Sequence, residues 1–118
     1  MTALEAISEF DTLKPNSFSQ EQKLRWLDRL DGFVQKSVLD WYPGRQTSFA
    51  GGELDRVLLM EEPFAEAYLH WMEAKVHYFN QEIDRYNSAI GMFRGIFEDY
   101  QRELHRREAL PASQDFRF

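Results

Sequence analysis

From Ala65 to Leu104 an apolar or aromatic residue stands at every third or fourth position without a gap: Ala65, Leu69, Met72, Val76, Phe79, Ile83, Tyr86, Ile90, Phe93, Phe97, Tyr100 and Leu104. Steps of four and three alternate throughout, which is the period of one face of an α-helix held over several heptads. Few folds accept such a seam other than helices packed side by side. Pro63 suits the first position of this helix, and Glu61 and Glu62 stand where the helix dipole favours negative charge. Arg102, His105, Arg106 and Arg107 suit its C-terminal end, and Pro111 closes it, leaving 111–118 as a flexible tail.

A helix of this length raises a geometric problem. Forty-odd residues at 1.5 Å each extend about 60–65 Å, whereas a compact chain of this size is about 35 Å across. Either the helix breaks and folds back or the molecule is elongated. Asn87-Ser88 is the expected break site, since either side chain can cap a new helix. The seam nevertheless keeps its phase from 83 to 93, so the expectation is a continuous or kinked helix whose far end is covered by another chain. A second stripe, Phe64, Tyr68, Trp71 and Tyr78, widens the apolar face in the first half only. That half is expected to form the core, and the second half a narrower contact strip.

Two further helices precede it. Thr2 and Glu5 form a capping box that opens a short helix carrying Leu4, Ile7 and Phe10, ended by Lys14-Pro15-Asn16. Ser19 and Gln22 form a second box, with Phe18 as a staple before it. Leu24, Leu27, Leu30, Val34, Val38 and Trp41 then mark one stripe up to Pro43-Gly44. Residues 43–60 read as an irregular loop, with Leu54–Met60 either extended or a turn of helix. The expected fold is therefore all-α over one domain, 1–118: a short helix, a medium helix and one long C-terminal helix.

Composition limits what such a domain can do. There is no cysteine, which removes disulfides and thiolate metal sites and fits a reducing compartment. The net charge of −6 disfavours binding to nucleic-acid phosphates. The longest apolar run, Val57–Met60, is far short of the roughly 20 residues a membrane span needs. No basic region precedes an apolar stretch at the N-terminus, so the chain is read as cytoplasmic when made. Aromatic residues reach 15%, a level that serves cores and interfaces alike.

No constellation of catalytic or ligand-binding residues emerges. His70 and His77 share a face with Glu66 and Glu73, but the Glu-x-x-His spacing of helical di-metal sites fails because 67 and 74 are alanines. These four are expected on a solvated face opposite the seam. Glu61-Glu62, Asp28 with Asp31, and Glu98-Asp99 are carboxylate pairs without an evident cleft, and read as solvated charge. Ala50-Gly51-Gly52-Glu53 lacks the Gly-Lys-Ser/Thr ending of a phosphate cradle. No enzyme, cofactor, metal or small-molecule substrate is expected.

Three segments carry a resemblance. Leu13-Lys14-Pro15-Asn16-Ser17-Phe18-Ser19 running into Gln22–Gly32, then Glu62-Pro63-Phe64-Ala65-Glu66-Ala67-Tyr68-Leu69, and Tyr78–Ala89 with its Arg85-Tyr86-Asn87-Ser88, resemble small proteins of phage and prophage structural modules in Firmicutes. The resemblance implies a helical head–tail connector or adaptor that joins rings between portal and tail. It covers roughly 2–42 and 61–100 and is weakest over 44–60 and after His105. It implies a virion location, and as partners other copies of the chain and neighbouring virion proteins. Phe93, Phe97, Tyr100 and Leu104 are the expected interface, with Phe116 and Phe118 as a docking tail. The alternative is a cytoplasmic regulatory adaptor that binds one host or phage protein.

Overall fold

The computed structural model describes residues 1–46 and 50–114, and the side chains of these up to residue 108. It is all-α: α1 spans Ala3–Leu13, α2 Gln20–Ser37, α3 Glu66–Phe79 and α4 Ile83–Gln114, with a 3-10 turn at Leu39–Trp41. Both expected capping boxes form. The Thr2 hydroxyl accepts the Glu5 N–H while the Glu5 carboxylate accepts the Thr2 N–H, and Ser19 and Gln22 do the same at the start of α2.

The long seam does break, but at Asn80–Glu82 and not at Asn87-Ser88. Asn80 caps α3, and Gln81 takes a left-handed backbone at φ 60°. The His77 carbonyl accepts the Glu82 N–H and the Val76 carbonyl accepts that of Asn80, so the exposed carbonyls at the end of α3 are paired. The Glu82 carbonyl then accepts the Tyr86 N–H as α4 starts. Asn87 and Ser88 continue α4 as ordinary exposed helical residues. Pro63 also sits differently from expectation: 62–65 form turns ahead of α3, which opens at Glu66. At the other end, the α4 backbone continues past Pro111 to Gln114, so 111–114 do not begin the expected tail. A proline removes one helical hydrogen bond without necessarily ending the helix. Residues 115–118 lie outside the described residues.

Fold-back sets α3 and α4 antiparallel, with aromatic pairs in register. Phe64 meets Tyr100 (centroids 5.6 Å), Trp71 meets Phe93 (5.1 Å) and Tyr78 meets Tyr86 (5.9 Å). Partners recur every seven residues on both sides, so one heptad spacing produces all three contacts. Phe64, Trp71 and Tyr78 of the second stripe thus receive α4, while Tyr68 turns to Asp31 of α2. Cover for the far half of the seam comes from the same chain.

The core gathers Ala3, Ala6, Ile7 and Phe10 of α1, Leu27, Leu30 and Val34 of α2, Tyr68 and Met72 of α3, and Tyr100 and Leu104 of α4. Leu4, expected inside, is 42% exposed, because Ala3 and Ala6 take that face. Trp41 is 77% exposed. α2 ends at Ser37, and the tighter 3-10 turn changes phase so that Leu39 points inward in place of Trp41.

Residues 54–58 lie along the start of α1, with a turn at Leu54-Asp55 and an antiparallel bridge from Val57 to Thr2. The Leu54 and Arg56 carbonyls accept the N–H groups of Leu4 and Ala3, and Leu58 N–H donates to the Met1 carbonyl. These are amides that a helix start leaves unpaired. The loop therefore completes the N-terminal cap that Thr2 begins.

Candidate interaction surface

Two acidic residues expected in solvent are instead part of a buried network. Asp31 has no exposed surface. Its carboxylate accepts from the Tyr68 hydroxyl, from Arg56 Nη1 at 2.7 Å and from the Leu59 N–H at 3.1 Å. Arg56 Nη2 reaches Asp28 Oδ1 at 2.8 Å, and the other Asp28 oxygen accepts the Gly52 N–H at 2.8 Å. Burial pushes the Asp31 carboxyl up, while the three donors pull it back toward the charged form. Burial also raises the Tyr68 phenol, helped by the adjacent Asp31 charge. The Gly52, Arg56 and Leu59 contacts join α2 to the 52–60 segment and the Tyr68 contact joins α3 to α2, so the network fastens a loop to the helices.

Of the four residues expected on a solvated face, Glu66 is exposed, His70 and Glu73 are half-buried and His77 is buried. α1 packs on this side of α3, Lys14 pairs with Glu73 at 3.2 Å, and His77 is buried with Nδ1 2.9 Å from Glu82. That contact with His77 is the main reason the Glu82 carboxyl titrates below its ordinary range. Among the described residues, no group of three or more His, Asp or Glu is placed to hold a metal ion. The remaining carboxylate pairs, Glu61-Glu62 and Glu98-Asp99, are exposed as expected.

The open surface lies between α2 and α4, whose backbones stay apart and which meet through the Phe33 and Phe97 rings. The gap is an apolar groove of about 400 Å³ lined by Leu30 and Phe33 of α2, Trp71 of α3, and Tyr86, Ile90 and Phe93 of α4. Arg29 and Arg94 stand at its edges. A neighbouring hollow shares Trp71, Tyr86 and Ile90 and adds Lys75, whose ammonium lies 4.9 Å from the Trp71 ring centroid. The apolar surface continues past Tyr86 to the α3–α4 turn, where Tyr78, Phe79 and Ile83 are each more than half exposed. There Phe79 stacks on Trp26 at 5.9 Å, with Phe18 against both rings. Phe33 and Met92 are likewise more than half exposed.

The expected interface residues divide between core and surface. Phe93, Tyr100 and Leu104 are buried by the chain's own α3 and preceding turns, which makes them core residues here. Burial pushes the Tyr100 phenol up to about 12. Phe97 is half-buried, 6.1 Å from Phe33 and stacked on Phe93 at 5.5 Å. Phe116 and Phe118 lie outside the described residues. Arg29, Phe33, Lys75 and Arg94 were not singled out from the sequence; no local signal marks them, because the groove exists only once α4 has folded back.

No protein-family model, curated protein or solved structure matches this chain. Among the described residues, no helix is long and apolar enough to cross a membrane.

Proposed function

We propose that this chain is a structural protein of a phage virion, part of the head–tail connection, and that it acts by binding neighbouring protein subunits and not by chemistry. The observation that carries this reading is the exposed apolar surface running from Phe79 and Ile83 past Tyr86 to Phe33. Contiguous aromatic surface of this kind is costly to leave in water and is a common mark of a protein-binding site. The resemblance of 13–32, 62–69 and 78–89 to phage structural-module proteins supplies the setting. Copies of the chain and adjoining portal or tail subunits are the proposed partners.

The test is made on particles. Phage induced from a strain that carries the gene are purified, and the chain is sought by mass spectrometry and by gold-labelled antibody. The reading expects the label at the head–tail junction, and filled heads with unattached tails when the gene is deleted. Particles that lack the chain and assemble normally without it would overturn the reading and favour the regulatory adaptor.

A further inference from the structure

The groove between α2 and α4 is apolar inside and cationic around its edge. Among the described residues, Arg29, Lys75 and Arg94 have no carboxylate within 4.0 Å, although the chain as a whole carries −6. Most described cations elsewhere on the molecule are paired, Arg25 and Lys36 excepted. Arg102 pairs with Asp99, Arg106 with Glu103, Arg107 with Glu61 and Glu103, Arg45 with Glu108, and Lys23 with Asp11. Three of the five described Lys and Arg residues without a carboxylate partner thus stand beside exposed rings. Burial and the nearby Arg29 charge both lower the affinity of Lys75 for its proton.

We infer that this groove receives the apolar face of an acidic amphipathic helix from another protein. Trp71 and Ile90 would form the floor, Phe33 and Tyr86 the ends, and Arg29, Lys75 and Arg94 would meet carboxylates flanking the inserted side chains. A helix laid between two helices presents anchors at steps of three and four, which suits a groove about two turns long. Charge complementarity selects this occupant over a two-fold-related copy of the same surface. A two-fold axis through the groove would face Arg29, Lys75 and Arg94 with their own counterparts, and like charges at an interface oppose association. The inference names the partner chemistry of the surface on which the proposed function rests.

Two synthetic helical peptides of about twelve residues separate the outcomes. Both carry the same leucine and phenylalanine face; one has glutamates at the remaining positions and the other lysines. Each is titrated into the full chain while the Trp71 indole and Ile90 methyl signals are followed by NMR. The glutamate peptide is expected to shift these signals and to bind about tenfold or more tightly than the lysine peptide, with the difference shrinking at high salt. Arg29 and Arg94 are exposed, so Arg29→Glu with Arg94→Glu should leave the thermal melt intact and reverse the preference. Equal binding of the two peptides, shifts confined to the Phe79–Ile83 turn, or an unchanged preference in the double variant would each overturn the inference. So would self-association of the wild-type chain that the double variant strengthens, since the occupant would then be a second copy. A chain that is found at the head–tail junction but binds neither peptide would sink this inference alone.

Discussion

The Tyr68 hydroxyl donates to the fully buried Asp31 carboxylate and at the same time accepts the Met60 N–H at 2.8 Å. One phenol thereby joins α3, α2 and the loop that precedes α3. Tyr68→Phe keeps the ring and leaves the Met60 amide without its acceptor, so a loss of about 1–3 kcal/mol is expected. Asp31→Ala takes the acceptor from Arg56 Nη1, the Tyr68 O–H and the Leu59 N–H together, leaving Arg56 its bond to Asp28. Its cost should be larger, about 3–5 kcal/mol, as for other broken buried charge pairs. Urea melts of the two variants check the order; equal losses would mean that the phenol carries the link and that Arg56 adds nothing to it.

Gly51 tests the same network from the loop side. A Cβ there would lie 2.5 Å from Asp28 Cγ and 2.6 Å from Oδ2. That carboxylate cannot swing away without releasing Arg56 and the Gly52 N–H. Gly51→Ala should therefore destabilise by about 1–3 kcal/mol. Gly91 and Gly95 are the opposite case: both lie inside α4 with nothing within 4 Å of an added Cβ. Alanine at either should raise stability by about 0.5–1 kcal/mol. Thermal melts of the three single variants give the signs directly.

The reversal between α3 and α4 rests on a residue with no turn signature. Gln81 holds φ at 60°, a region that costs a residue with a side chain about 1–2 kcal/mol. Gln81→Gly should stabilise, by about 0.5 kcal/mol once the greater freedom of the unfolded chain is offset. Gln81→Val should lose more than 1 kcal/mol, roughly, since a branched Cβ fits that backbone worst. If both variants melted like wild type, the turn would not contribute to the cooperative unit.

Legibility in the sequence follows the range of the interaction. The capping boxes at Thr2/Glu5 and Ser19/Gln22 are local and could be read directly. The seam from Ala65 to Leu104 was also legible, and so was the need for cover at its far end. What covers it was not, because periodicity does not distinguish the chain's own α3 from a neighbour. The decisive pattern is the pairing of Phe64, Trp71 and Tyr78 with Tyr100, Phe93 and Tyr86, visible only when the fold-back point is known. Asp28 and Asp31 looked like surface charge because their partner, Arg56, lies 25 residues beyond Asp31 in a segment with no clear period. The groove escaped for the same reason: Phe33 and Arg29 meet α4 only through the tertiary fold.

Glu5 makes a pH-dependent contribution of known sign. Its carboxylate accepts the Thr2 N–H at 2.8 Å, and this hydrogen bond holds its pKa below the ordinary 4.5. A carboxyl with a depressed folded pKa stabilises the fold above its unfolded value, and that stability is lost as pH falls through the folded value. Glu5→Gln keeps an acceptor for the cap but does not titrate. The wild type should be the more stable at pH 7, and the gap should close as pH is taken well below 4.5. A gap that stayed constant across this range would assign the effect to packing and not to the charge.

Phe93 and Phe97 separate folding from assembly. Phe93 is 7% exposed and packs on Trp71, whereas Phe97 is half-buried at the edge beside Phe33. Phe93→Ala should cost about 3–5 kcal/mol, the range for a buried ring. Phe97→Ala forfeits less burial and should cost about half as much. The surface reading expects a further difference on binding. Phe33→Ala removes an exposed ring of the groove, so it should leave the melt nearly unchanged and weaken peptide or particle association. Phe93→Ala also removes part of the groove wall, so it should lower both stability and association. Melting curves and binding measured on the same preparations test both halves. If Phe33→Ala unfolded the chain as severely as Phe93→Ala, α2 would need that ring for its own packing and the groove would not be a free surface.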